Sequence, residues 1–311
     1  MESVLRFVKR VLCAFPLVGR HLAPYIGLAH RPGFFYSPIP DLNEIKAREQ
    51  EIWQHECDHG LFGIEVHEAS QLQLLECLMP YYKELPFTEH KHKDLRYFFE
   101  NDFFSYSDGI FYYCMLRHLK PNRVIEIGSG FSSCVLLDTN EIFLDSKVNC
   151  TFIEPDPARL YSLLKPGDRE RHTIIPSRLQ DVSLSEFSEL SSGDILFVDS
   201  SHVSKTGSEL NVLLFEILPS LKPGVYVHFH DAFWPFEYPR DYVYAGWAWN
   251  ELYLLRAFLS YNRSFSIALF PSFLEQFHRE KLEGTMALAL SHPPGWPTLQ
   301  GASLWLRREE A

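Results

Sequence analysis

The sequence predicts an α/β chain: a doubly wound, Rossmann-like, mostly parallel sheet behind a helical extension. Three observations carry that expectation. Short apolar, β-branched runs alternate with amphipathic helix patterns from about residue 106 onward, as in strand–helix–strand units. The first of these runs, Arg123-Val-Ile-Glu-Ile127, leads into Gly128-Ser-Gly130 and then the apolar pattern Phe131–Leu137, the strand, glycine turn and helix of a nucleotide-type site. Acids punctuate the strand ends: Glu126 near the tip of the first run, then Glu154, Asp199 and Asp231.

Taken in order, the chain opens on Val4–Phe15, where apolar clusters are mixed with Arg6, Lys9 and Arg10. It is too short and too interrupted to span a bilayer and lacks a small-residue cleavage site. It reads either as an amphipathic helix giving peripheral membrane contact through residues 1–20, or as a helix docked on the protein's own surface. Pro16, Pro24, Pro32, Pro38 and Pro40 then break any long helix. Asp41 can cap a helix over Leu42–Trp53, and Ser70 one over Gln71–Met79. His55, Cys57, His59 and His67 follow no closed tetrahedral spacing, so no zinc site is expected there. Residues 86–105 read as a linker. Residues 1–95 are thus expected to form a Pro-rich, helical extension without catalytic groups, and 96–311 the main domain.

Asp108 opens a helix, Gly109–Leu119, which Pro121 ends. Phe103–Tyr106, just upstream, suits either a ligand pocket or the core. Val148–Ile153 is the second strand, and Glu154 after it lies where a doubly wound nucleotide fold places a carboxylate on ribose hydroxyls; the alternative is a plain turn acid. Pro157–Leu164 is a helix and Thr173–Ile175 the third strand, followed by Leu179-Gln-Asp181. Asp194–Val198 is the fourth strand, ending in Asp199-Ser-Ser-His202. Leu210–Leu218 is a helix stopped by Pro219, and Val225–His230 is the fifth strand, ending in Asp231. The aromatic run Phe233–Tyr238, with Tyr242, Tyr244, Trp247 and Trp249, suits a substrate lid or a packed face equally. Ser264–Phe270 and Ala302–Arg307 are the last two strands.

Composition narrows the function. The chain has 311 residues, 46% of them hydrophobic, enough for a sizeable core. A net charge of −11 and the lack of a long basic run argue against general nucleic-acid binding. Six scattered cysteines without a Cys-x-x-Cys pair read as free thiols in a reducing, cytoplasmic setting.

Glu126-Ile-Gly-Ser-Gly130 resembles the first motif of class I S-adenosylmethionine (SAM)-dependent methyltransferases. With the segments above, residues 96–311 resemble the bacterial methyltransferase-domain family near the cephalosporin-hydroxylase and macrocin O-methyltransferase groups. The resemblance implies SAM as cofactor, held by Glu126, Gly128, Ser129 and Gly130, with Glu154 on its ribose and Asp181 near the adenine. It also implies an antiparallel last strand closing the sheet.

Acids and imidazoles at neighbouring strand ends (Asp199, His202, His230, Asp231) make a corner suited to Mg²⁺ or Mn²⁺. The resemblance implies metal ligation by the acids after strands 4 and 5. Here Asp199 and Asp231 match in position, while His230 stands where the family often has an acid. His202, three residues past Asp199, is the candidate general base, against a structural role in capping the next helix or ordering Asp199. The expected activity is O-methylation of a small molecule or saccharide. The alternatives are a SAM-binding protein without methyl transfer and an NAD-type oxidoreductase; Ser133 in place of a third glycine disfavours the latter.

Overall fold

The computed structural model describes residues 29–30, 32–53, 60–295 and 301–310. The segment Val4–Phe15, with His55, Cys57 and His59, lies outside the described residues. The chain divides into two compact units: Met1–Glu56 with Arg240–Ala248, and Cys57–Pro239 with Trp249–Ala311. That boundary differs from the expected one at residue 95.

The larger unit is built on a seven-stranded sheet: β1 (Arg123–Ile127), β2 (Asn149–Ile153), β3 (Thr173–Ile175), β4 (Ile195–Val198), β5 (Tyr226–His230), β6 (Phe265–Leu269) and β7 (Ser303–Arg308). Their order is β3-β2-β1-β4-β5-β7-β6. The first five run parallel, and β7 is antiparallel to both β5 and β6. The order switches at β1, so the carboxyl ends of β2, β1, β4 and β5 lie side by side, where an open α/β sheet gathers its ligand. β1, β4 and β5 are almost wholly buried because helices cover both faces. β6, the edge strand, alternates buried and part-exposed residues instead.

Residues 86–105 are no linker. Phe87, Tyr97, Phe99 and Phe104 are buried. Arg96, 3% exposed, donates to Asp138, Glu141 and Asp168 at 2.6–2.8 Å, which fastens the segment to the helix Phe131–Phe143. The helix Glu68–Tyr82 belongs to the same unit, burying Gln71, Leu75 and Leu78, and Gln71 accepts the backbone N–H of Phe270. These are the reasons the compact unit begins well before residue 95.

The aromatic run after β5 is resolved as core over its first half: Phe233, Trp234, Phe236 and Tyr238 are buried, with Trp234 edge-on to Phe270 and Phe273. Its continuation, Arg240–Ala248, falls in the smaller unit, where Tyr244 donates to Glu49 and Arg240 lies over Trp53. Asp41 caps the helix Leu42–Ala47 through the N–H of Asn43, as its sequence position implies. Cys77, Cys114, Cys134 and Cys150 are free thiols, and all but Cys77 are buried. Among the described residues no helix is long and apolar enough to cross a membrane.

Candidate active site

The glycine turn begins where β1 ends. Gly128 sits at φ +82°, and a Cβ there would lie 1.8 Å from the carbonyl oxygen of Asp199. The requirement for glycine therefore comes from the neighbouring strand end, not only from a ligand. Gly128 donates to Ile153 and Asp199 donates to Ile127, so the ends of β1, β2 and β4 are laced together. Gly130 has extended φ and only the Arg159 side chain near its Cβ position, at 3.4 Å, which leaves its outer side open to a ligand. The next helix, Phe131–Phe143, points its first N–H groups toward the turn.

Glu126 lies beneath this turn, not on its surface. It is fully buried, accepts the Tyr112 hydroxyl at 3.0 Å and the Ser133 hydroxyl at 2.5 Å, and Ser133 in turn accepts the Gly130 N–H. Burial pushes its carboxyl up to about 8, against the pull of both hydroxyls. Glu126 thus shapes the loop from below. Glu154, just past β2, accepts the N–H of Ser129 at 3.2 Å and that of Asp156 at 2.9 Å. It joins the glycine turn directly and stays part-exposed. Asp181 is exposed on a short 3-10 turn and pairs with Arg178 at 2.9 Å, outside the hydrogen bonds that tie the turn together.

One strand pair over, β4 and β5 deliver the acid–imidazole corner. Asp199 follows β4, His230 ends β5 and Asp231 follows it. One ligand-type atom from each of these three lies within 4.8 Å of the others. His202 completes the corner: its Nε2 is 3.4 Å from Asp199 Oδ1 and 3.5 Å from Asp231 Oδ2. His202 and Asp231 both hold left-handed backbone, φ +57° and +53°, a strain found where a site fixes side-chain direction.

His202 is held from behind. Its Nδ1 is 2.7 Å from Glu251 Oε2, and its ring packs against Trp249. Its carbonyl accepts the N–H groups of Asn250 and Glu251 at the start of the helix Glu251–Leu259. With one ring nitrogen on Glu251 and the other turned to two aspartates, the imidazole has no nitrogen aimed at open space. This geometry suits the structural role, ordering Asp199, that the sequence offered beside that of general base. Burial alone would lower its pKa, but Asp199, Glu251 and Asp231 raise it to about 10. Asp199, although partial desolvation opposes it, is held well below the usual carboxylate range by the His230 charge and the contacts of both imidazoles.

Sequence reasoning missed two members of this corner. Glu251 opens a helix just past the aromatic stretch and carries no local signal. Asp108 was read only as a helix opener. In fact its Oδ1 accepts the Ser303 hydroxyl at 2.7 Å and its Oδ2 lies 3.5 Å from His230 Nε2.

A second cleft, about 640 Å³, lies beside β6 and is lined by Tyr226 and Arg307, among others. Tyr226 begins β5, so this cleft is at the opposite sheet end from the glycine turn and the acids. The strand-end corner, not this cleft, is where the fold concentrates its ligand chemistry.

Residues 125–232 match the family model described as a methyltransferase domain, a span running from β1 to just beyond β5. An uncharacterized protein of Archaeoglobus fulgidus is 36% identical over 172 residues, covering 53% of this chain and 75% of that protein. Among solved structures, the SAH-bound Podospora anserina methyltransferase PaMTH1 is similar at 14% identity over 88% of this chain and 99% of that one (TM-score 0.42). The SAM-bound O-methyltransferase TomG from Streptomyces achromogenes is similar at 13% identity over 86% and 96% (TM-score 0.40). The matched domain and a mostly parallel seven-stranded sheet whose last strand is antiparallel carry the assignment: residues 125–232 are a methyltransferase domain of the class I, SAM-dependent kind.

Proposed function

We infer that the protein transfers the SAM methyl group to a hydroxyl of a small molecule or saccharide. The observation that carries this reading is adjacency. The glycine turn and the acid–imidazole corner sit on neighbouring strand ends, and the Gly128 position touches the backbone of Asp199 itself. A donor held at the turn and an acceptor held at the corner would meet without a large movement.

The corner's donor set fits a divalent cation, Mg²⁺ or Mn²⁺ in the first instance. His230 is 7% exposed, and neither of its ring nitrogens has a hydrogen-bond partner, although Nδ1 faces Asp199 and Asp231. A buried imidazole left unsatisfied between two carboxylates calls for a further ligand. Asp199, His230 and Asp231 would hold the ion, which when bound lowers the pKa of a coordinated acceptor hydroxyl and fixes its angle. The Asp199 side chain, 36% exposed, marks the open side from which an acceptor would approach. Glu154 would meet the SAM ribose from the next strand, and Glu126, Ser129 and Gly130 shape the loop that receives the rest of the cofactor. Asp181, by its place after β3, would lie toward the adenine end.

Mass spectrometry of small molecules released from purified protein tests the donor half. SAM or its demethylated product is the expected finding, and a nicotinamide cofactor would overturn the reading. Transfer of label from methyl-labelled SAM to hydroxylated acceptors tests the other half. Binding of SAM with no transfer across a broad panel of saccharides and phenols would instead favour a SAM-binding protein without this activity.

A further inference from the structure

We propose that Arg159 takes the carboxylate at the amino-acid end of the cofactor, and that Phe103 holds its guanidinium ready for it. The proposal rests on the SAM reading above and assigns the end of the cofactor opposite the adenine.

The segment after β2 straddles the glycine turn. Glu154, at its start, accepts the N–H of Ser129 at 3.2 Å. Arg159, in the first turn of the helix Ala158–Leu163, brings its Cδ to 3.4 Å from the place a Cβ would take on Gly130. One short stretch of chain thus sets an acid and a cation against successive residues of the turn. That cation is uncommitted. Arg159 is exposed, and among the described residues its guanidinium meets no carboxylate and no hydrogen-bond acceptor. Its neighbour is a ring: the guanidinium carbon lies 3.9 Å from the centroid of Phe103. By contrast, Arg96, Lys165 and Arg178 each close on a carboxylate.

The aromatic stretch before the helix Tyr106–Leu119 splits at this point. Phe104 and Tyr106 are core, while Phe103 stays 50% exposed. It stacks on Phe131, the first residue of the helix after the turn, with ring centroids 6.3 Å and planes 19° apart, and Phe98 meets Phe131 edge-on. A ring under the guanidinium restricts a long side chain before any ligand arrives, so less freedom is lost on binding. Charge makes the assignment directional. The amino-acid end of SAM carries an ammonium and a carboxylate. Asp199, Asp231 and Glu251 crowd the β4 and β5 side of the turn, where the ammonium is favoured and the carboxylate repelled. Arg159 stands on the β2 side, and its planar fork can meet a carboxylate through two parallel N–H groups.

Calorimetry on the full-length protein with two ligands tests this: SAM, and decarboxylated SAM, which keeps the adenosine, the sulfonium and the ammonium but lacks the carboxylate. Wild type should bind SAM about 10–100-fold more tightly, as expected for a charge-assisted contact. The direction matters, because the surrounding acids alone would favour the decarboxylated form, which carries the greater positive charge. Arg159→Met should weaken SAM about 10–100-fold, leave the decarboxylated form within about 3-fold, and so erase the preference. Arg159→Lys should keep part of it. Phe103→Leu should weaken SAM by a smaller factor, and unchanged SAM affinity there would overturn the role of Phe103. Wild type without a preference for SAM, or an Arg159→Met variant that loses both ligands equally, would overturn the role of Arg159. Wild type that binds neither ligand would instead overturn the SAM reading itself. Because the wild-type comparison reads the carboxylate directly, that arm does not depend on any variant folding.

Discussion

Single atoms decide what the glycine turn tolerates. At Gly128 a methyl group would collide with the Asp199 carbonyl, and φ is positive, so Gly128→Ala meets strain from both sources. A loss of about 1–3 kcal/mol is expected in urea unfolding, accompanied by weaker SAM binding, and an unchanged midpoint would show that the strand ends part easily. Glu126 carries a pH signature. Its carboxyl is raised to about 8 by burial, while the unfolded chain releases that proton near the ordinary value of about 4.3. Between those limits the folded state binds more protons, so stability falls as pH rises through the window and levels off above it. Urea midpoints for wild type should therefore drop from pH 5.5 to 8.5 more than those of Glu126→Gln; equal drops would mean that Glu126 is already ionised in the fold. At Glu154, truncation to Ala should weaken SAM by about 1–3 kcal/mol in calorimetry, from loss of charged hydrogen bonds. Unchanged affinity would remove it from the ribose site.

Between elements, a few buried polar groups set positions that strand patterns do not. Arg96 joins residues 86–105 to the helix after the glycine turn and to Asp168. Removing it leaves the buried Asp138 and Asp168 with only Lys165, at 3.8 Å, and Arg171, at 2.8 Å, as cationic partners. Arg96→Ala is expected to cost about 3–5 kcal/mol, read as a shift in the urea midpoint, and a near-wild-type midpoint would show that Lys165 and Arg171 suffice. The loop after β4 is fixed in the same way. Asn250 accepts the Ser204 N–H at 2.7 Å and donates to the Ser204 carbonyl, so the helix that supplies Glu251 also sets the path of the chain through His202.

At the scale of the molecule, the compact boundary near residue 56 makes a prediction that the boundary at 95 does not. Deletion of residues 1–40 should leave SAM binding measurable by calorimetry, because the glycine turn, Glu154 and Asp199 all belong to the larger unit. Deletion of residues 1–95 removes the helix that buries Leu75 and Leu78 together with the approach to Arg96, and should give insoluble or unfolded protein. Folded protein from the longer deletion, still binding SAM, would place the boundary at 95 after all.

What the sequence determined by itself was local. Strand runs, the glycine turn and the acids at strand ends follow from neighbours within a few positions, and all seven expected strands appear within a residue or so of their expected limits. The order of those units also put Asp199, His230 and Asp231 at adjacent strand ends, since a doubly wound sheet leaves few alternatives. Tertiary structure decided the rest. Glu251 reaches His202 from 49 positions away, Arg96 reaches Asp168 across 72, and Ser303 reaches Asp108 across 195. No periodicity reports such pairs, because each partner alone looks like a helix-opening acid or a surface charge. The same holds for residues 86–105 and for Phe233–Tyr238. Their composition permits a linker or a lid, and only the apolar surface they meet in the folded chain makes them core.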